Sequence, residues 1–225
     1  MSTYNIAIDG PAGAGKSTIA RAVAAKLGFI YVDTGAMYRG IAVYLLDHQI
    51  DCASEEAVSA VCGQIRLSIR YQEGSQHIFL GEEDITGRLR TEEVGNTASL
   101  TSKYPAVRAH LLSLQRDLAA ANHVIMDGRD IGTTILPHAQ LKLYLTADSA
   151  VRARRRCLEL QEKGTPRPFE EVKADIEKRD DQDMHREVSP LTRAEDAVLL
   201  DSSSMTITEV IDTILELCQQ KGIHA

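Results

Sequence analysis

The chain alternates short apolar runs with longer amphipathic stretches, and that rhythm predicts a parallel sheet covered by helices. Strands are expected at Asn5–Asp9, Phe29–Asp33, Val124–Asp127, Leu141–Leu145 and Ala197–Asp201. Helices are expected at Lys16–Leu27, Met37–Asp47, Pro105–Ala121, Ser149–Glu162, Phe169–Asp183 and Thr208–Gln220. Pro105 suits a first helical turn, where its missing N–H would have no partner anyway. From about Gly63 to Asn96 the rhythm breaks. There "IRLSIRY" and "HIFL" flank "QEGSQ", the pattern of an antiparallel hairpin with a glycine turn, set as a small β insertion in an α/β domain. A second interruption, "LQEKGTPRPFEE", uses Gly164, Pro166 and Pro168 to end one helix and restart another, leaving a mobile loop between two helical arms.

The stretch "VIMDGRDIGTT" sharpens this picture. An apolar run of three residues, Val124–Met126, precedes Asp127, Arg129 and Asp130, which places an acid, a base and an acid at the carboxyl end of a buried strand. Ligands bind at that edge of a parallel sheet, and charge there is costly unless something pairs with it.

Length and composition narrow the class. At 225 residues the chain is long enough for one large domain, or for a domain carrying an insertion. A net charge of −7 argues against general nucleic-acid or acidic-membrane binding. Arginine nevertheless outnumbers lysine, seventeen to eight, so local sites for phosphates or carboxylates are expected within an acidic whole. Cys52, Cys62, Cys157 and Cys218 fall at irregular spacings, which points to free thiols in a reducing cytosol. The start "MSTYNIAIDG" has neither the basic nor the apolar region of a signal peptide, and no run reaches the roughly 18 apolar residues of a membrane span. The scattered histidines make no metal-binding spacing.

The most specific chemistry lies in "IDGPAGAGKST". Gly10, four residues, then Gly15-Lys16-Ser17 complete G-x-x-x-x-G-K-S between an expected strand and an expected helix. The backbone from Gly10 through Pro11, Ala12, Gly13, Ala14 and Gly15, with Thr18 in the opening turn, wraps phosphates with N–H groups and the helix N-terminus. Lys16 reaches the terminal phosphates and the Ser17 hydroxyl ligates magnesium. The motif implies a nucleoside triphosphate. No guanine-reading N-K-x-D is present, and "VIMDG" ends in one acid rather than two, so Asp127 suits a magnesium-bound water. Small-molecule kinases are the compact class that remains. Three clusters then offer an acceptor pocket: "DTGAMYR", "GRD", and "KRDDQDMHR" with Arg179, Asp183 and Arg186 on one helical face.

With these stretches in place, the sequence resembles the bacterial cytidylate (CMP) kinases. The resemblance is carried by "IDGPAGAGKST", "DTGAMYR", "RTEEVGNTAS", Val107-Arg108, "DGRDIGT", "RARRR", "LQEKG" and "KRDDQDMHR", in family order from residue 5 to 186. One departure is Thr34, where many relatives have Ser. The resemblance implies a P-loop nucleoside monophosphate kinase across residues 1–225, with a five-stranded parallel core. It further implies an acceptor-binding insertion over 63–98 and a helical lid with arms over 152–186. The reaction implied is ATP + CMP (or dCMP) giving ADP + CDP (or dCDP), with Mg2+. On the same ground Ser99, Arg108, Asp130 and Arg186 are similar to the family's cytosine contacts. Thr34, Arg179 and Asp183 resemble its sugar contacts, and Arg39 and Arg129 its acceptor-phosphate contacts. Arg152, Arg155 and Arg156 share a helical face at about 100° per residue, and are expected to reach the transferred group as the lid closes. A kinase for UMP or shikimate, or a P-loop regulator that binds ATP without transfer, are the alternatives. A cytoplasmic monomer is expected.

Overall fold

A computed structural model describes residues 3–72 and 74–224. Its main sheet has five strands, β1 (Asn5–Asp9), β2 (Ile30–Asp33), β6 (Val124–Gly128), β7 (Leu141–Thr146) and β8 (Val198–Asp201), in the order β2-β6-β1-β7-β8. By contacts the chain separates into two units, one of residues 1–29 with 123–225 and one of residues 30–122.

In the first unit β1 runs parallel to β6 on one side and to β7 on the other, and β7 runs parallel to β8. The register sets Asp9 opposite Gly128 on β6 and Tyr144 on β7, so the acid that closes β1 sits at the carboxyl edge of the sheet. Ile6, Ala7 and Ile8 are fully buried, as are Ile125 and Met126. This is why these strands read as continuous apolar runs rather than alternating ones. Helix α1 (Lys16–Leu27) packs on β6 and on α8 (Ile207–Gln220). The start of α8 is held by a reciprocal capping box. Thr206 Oγ1 accepts from the Glu209 N–H, and the Glu209 carboxylate accepts from the Thr206 N–H at 2.7 Å. Its apolar stripe of Val210, Ile211, Ile214 and Cys218 is buried, each aliphatic side chain contributing about 1.5–3 kcal/mol. Helices α6 (Ser149–Glu162) and α7 (Phe169–His185) pack through Ala153, Val172 and Ile176, with Cys157, Leu160 and Phe169 at the margin.

The second unit carries a three-stranded antiparallel sheet of β3 (Leu67–Gln72), β4 (Ser75–Leu80) and β5 (Glu83–Asp84). The expected hairpin is present. Its register closes at Gln72 opposite Ser75, Gly74 has φ +76°, and Glu73 lies outside the described residues. β5, two residues long, has no counterpart in the sequence reading. Around the sheet lie α2 (Thr34–Asp47), α3 (Glu55–Cys62), α4 (Glu92–Thr101) and α5 (Pro105–Ala121), with Pro105 in the first turn of α5. α3 and α4 were not expected from the apolar pattern. Helix α2 begins at Thr34 rather than Met37, because the Asp33 carboxylate accepts from the Ala36 N–H at 2.8 Å and starts the helix early. The Gln76 side chain fixes the same corner, accepting from the Asp33 N–H at 2.8 Å and donating to the Asp33 carbonyl at 3.2 Å.

Candidate functional site

Within the first unit, the loop from Gly10 to Gly15 joins β1 to α1. Gly10 is at φ +151°, and a Cβ there would stand 2.0 Å from the Leu145 carbonyl oxygen, so only glycine can enter the loop at this point. Lys16 is 6% exposed; its ammonium donates to the Gly10 carbonyl at 2.7 Å and the Pro11 carbonyl at 2.8 Å. Burial, then the nearby Arg129 charge, push its pKa down to about 7 against the pull of Asp127, Asp9 and Asp183. Ser17 Oγ donates to Asp127 Oδ2 at 2.9 Å, which brings together the two residues expected on the metal side. Ala12 and Ala14 are buried, Gly13 and Thr18 exposed.

The loop is gripped from outside at Ala12. Its N–H donates to Asp180 Oδ1 at 3.1 Å, and its carbonyl accepts from Arg152 Nη1 at 2.7 Å. Arg152 and Asp180 are themselves ion-paired at 2.6 Å and both are buried, and Arg152 Nε also donates to the Ala147 carbonyl. The three arginines of α6 expected on one face therefore do not converge in this structure. Arg155 donates to the Ser202 carbonyl at 2.7 Å, and Arg156 pairs with Glu159 on the surface. Residues 163–168, between the arms, are all exposed.

Beside the cradle, β6 delivers the acid-base-acid triplet. Arg129 Nε donates to Asp183 Oδ2 at 2.6 Å, Arg186 Nη1 lies 3.8 Å from Asp183 Oδ1, and Arg186 Nη2 lies 3.7 Å from Asp130 Oδ1. Arg186 Nε is anchored on the Ser189 carbonyl at 2.7 Å. Burial pushes the Asp183 carboxyl up, but the charge and hydrogen bond of Arg129, with Arg179 and Arg186, outweigh it and hold the pKa below the usual carboxylate range. Arg129, Asp130, Asp183 and Arg186 thus form one charged cluster, with Arg179 one turn before Asp183 on α7. The cluster presents two guanidinium groups that can fork onto phosphate or a base edge.

Two residues of this region lie inside the quoted stretches but carry no assigned role. Asp9 is 4% exposed and accepts from the Ile131 and Gly132 N–H groups, each at 2.8 Å. Burial raises its pKa to about 6 even though both backbone hydrogen bonds oppose the shift. Asp180 is the other. Asp9 had a sequence signal, since "AIDG" ends an apolar strand in an acid as "VIMDG" does. Asp180 lies in "KRDDQDMHR", where the helical-face pattern selected Arg179, Asp183 and Arg186 instead.

In the second unit, Thr34 is buried at the start of α2. Arg39 lines a small pocket of about 60 Å³, shared with Asp33, Gln76, Thr86 and Arg90. Arg90, like Asp9, was not singled out in the sequence. Ser99 and Arg108 meet at Ser102. Arg108 Nη1 donates to the Ser102 carbonyl at 3.1 Å, and Ser102 Oγ donates to the Ser99 carbonyl at 2.9 Å, with the Arg108 guanidinium 5.7 Å from the centre of the Tyr38 ring. Among the described residues no group of three or more His, Cys, Asp or Glu is placed to hold a metal ion, and no helix is long and apolar enough to cross a membrane.

Comparison with known proteins covers this whole region. A family model described as cytidylate kinase matches residues 6–220. The chain is 45% identical to a cytidylate kinase of Enterococcus faecalis over 224 residues, covering 100% of this chain and 99% of that one. It is 48% identical to a cytidylate kinase of Desulfitobacterium hafniense over 216 residues, covering 96% and 93%. Among solved structures, an uncharacterized protein from Eubacterium ventriosum superposes with a TM-score of 0.54 at 11% identity, covering 96% of this chain and 99% of that one, a likeness of fold alone. The match therefore spans the phosphate cradle, the charged cluster and both helical arms together, and by it the chain belongs to the cytidylate kinase family.

Proposed function

We infer that this chain transfers the γ-phosphoryl group of ATP to CMP or dCMP, giving ADP and CDP or dCDP. Besides the family membership, one observation carries the reading. The Lys16 cradle and the Arg129–Asp183–Arg186–Asp130 cluster both follow strands at the carboxyl edge of the sheet, which supports a donor phosphate site beside an acceptor site.

The chemistry needs no general base. The acceptor is a phosphate oxygen already ionised at neutral pH, so catalysis rests on in-line positioning and on neutralising charge spread over the transferred group. Lys16 holds the donor phosphates, and Arg129 draws the acceptor phosphate toward them. Arg152, Arg155 and Arg156 add charge from the lid arms as these close and exclude water. Ser17 and Asp127 are adjacent hard oxygen donors, which suits Mg2+, an ion that keeps few protein ligands beside water and phosphate. When bound, it neutralises phosphate charge; Ser17 would ligate it directly and Asp127 through water.

On the acceptor, Asp130 accepts from the cytosine N4 amino group, while Arg108, Arg186 and Ser99 serve the remaining edge. Thr34, Arg179 and Asp183 take the sugar hydroxyls, and Arg39 and Arg129 the phosphate. A carboxylate that accepts from cytosine N4 repels uracil O4, so the preference for CMP over UMP follows. The four free cysteines support a reducing, cytoplasmic setting, and the net charge of −7 supports a chain without nucleic-acid or membrane partners, acting as a monomer. A coupled ADP-release assay across CMP, dCMP, UMP and shikimate tests the reading. CMP and dCMP are expected to stimulate turnover most. ATP binding without acceptor-stimulated turnover would identify a regulator instead.

A further inference from the structure

Asp9 holds a buried carboxylate against the cost of burial, and its two oxygens are fully committed to one feature. Oδ1 and Oδ2 accept from the Ile131 and Gly132 N–H groups, the first two of the π-helical turn Ile131–Ile135. The residue at the N-cap of that turn is Asp130. An aspartate at such a position ordinarily accepts from the turn's own N–H groups, but Asp130 makes no side-chain cap hydrogen bond. Its carboxylate instead lies 3.7 Å from Arg186 Nη2. The cap is supplied from another strand, 122 residues away in sequence, and the local acid is turned toward the cluster.

The backbone of Asp9 does not depend on its side chain. It is laddered to Gly128 on β6 and Tyr144 on β7, and Gly10 beyond it is wedged against Leu145. Removing the carboxylate therefore leaves the entry to the phosphate loop in place while releasing the turn that follows Arg129 and Asp130. Gly132 completes the seat. A Cβ there would lie 3.4 Å from Asp9 Oδ2 and 3.1 Å from Lys142 Cδ, so an added methyl group is seated against the carboxylate and must displace either the Lys142 stem or the turn.

We propose that Asp9 is a positioning residue for acceptor recognition: by capping the Ile131–Ile135 turn it sets Arg129 and Asp130 in register for the nucleoside monophosphate. The proposal rests on the cytidylate kinase reading above, and the test separates the two. Wild type, Asp9→Asn and Gly132→Ala are compared by steady-state kinetics with CMP and UMP, by ATP titration without acceptor, and by thermal melting. The Asn amide presents one acceptor and one N–H₂ donor to two backbone N–H groups, so the turn must shift. A displacement of about 1 Å at a reacting pair costs up to 10²-fold. KM for CMP is expected to rise at least tenfold in both variants, the CMP-to-UMP preference to narrow, and ATP affinity to stay within about threefold. Equal weakening of ATP and CMP, or unchanged KM for CMP in a folded variant, would overturn the proposal. Should Asp9→Asn fail to fold, Gly132→Ala, which leaves the carboxylate intact, decides by the same readouts. If wild type prefers another acceptor, the substrate reading is what fails, and the comparison is run with that acceptor.

Discussion

Lys16 is the most exactingly placed charge in the cradle, and its burial has a measurable consequence. The ammonium is 6% exposed, and burial with the Arg129 charge brings its pKa from 10.5 to about 7. Keeping this lysine charged in the ligand-free fold is therefore costly. ATP reverses the balance, because its phosphates supply the opposite charge that favours the ammonium. Above about pH 7 a substantial share of the Nζ groups lacks the proton, so ATP binding at pH 8 should draw protons in. Near pH 6 the uptake should almost vanish. Calorimetric titrations of ATP at pH 8 in two buffers of different ionisation enthalpy measure it directly, with Lys16→Met as the control that loses the uptake. The stability of the ligand-free protein should follow the same equilibrium. Between about pH 7 and 10.5 the unfolded state binds more protons at this residue than the folded state, so stability rises with pH. Relative to Lys16→Met, wild type should gain about 2 kcal/mol in urea unfolding between pH 7.5 and 9. The substitution should also lower kcat on the order of 10²–10³. Buffer-independent binding enthalpy at pH 8, or the same proton uptake in Lys16→Met, would refute this account of the cradle.

Asp180→Ala leaves the Arg152 guanidinium buried and frees the Ala12 N–H. Chemical denaturation should show a loss of about 3–5 kcal/mol, and ATP should bind at least tenfold more weakly; a stability change under 1 kcal/mol would show that the pair does not hold the loop. The exposed loop after α6 should be cut by trypsin after Lys163 in the ligand-free protein, because Arg167 precedes Pro168 and is not a tryptic site. A bisubstrate analogue bridging ATP and CMP should protect it, and equal cleavage with and without the analogue would show that this segment is not a lid.

The parts of the fold legible in the sequence were those with one dominant local cause. β1, β6 and β7 announced themselves because strands buried on both faces must be apolar throughout, and the cradle did so because G-x-x-x-x-G-K-S is contiguous. α3 and α4 escaped because only Val58 and Cys62, and Val94, Ala98 and Thr101, are buried, too few to make an apolar period. Their caps were nonetheless written locally: Ser54 before Glu55-Glu56 and Thr91 before Glu92-Glu93, each hydroxyl accepting from the N–H three residues on. The early start of α2 was hidden for the opposite reason, since "DTG" reads as a turn until the Asp33 carboxylate is seen to cap it. No local pattern encodes the π-helical turn after Asp130, because its cap comes from β1.

The same reasoning explains why charge was harder to read than hydrophobicity. A helical projection puts Arg152, Arg155 and Arg156 on one face, but it contains no information about what other elements offer to that face. The structure offers backbone: the Ala12 and Ala147 carbonyls to Arg152, and the Ser202 carbonyl to Arg155. Arg108 and Arg186 likewise anchor on the Ser102 and Ser189 carbonyls, while Asp9, Asp33 and Asp180 accept from backbone N–H groups. Irregular backbone at the carboxyl edge of a sheet leaves peptide groups without ladder partners, and a buried peptide group without a partner costs about as much as a lost hydrogen bond. Charged side chains satisfy those groups and are fixed by them. A guanidinium has five donors, so one anchored by a single N–H to a carbonyl still has a fork to present. Arg186, held through Nε by the Ser189 carbonyl, keeps such a fork, whereas Arg152 commits its guanidinium to the Ala12 and Ala147 carbonyls and to Asp180. Truncating Arg186 removes anchor and fork together, whereas Arg186→Lys, which keeps the charge but not the fork, separates them.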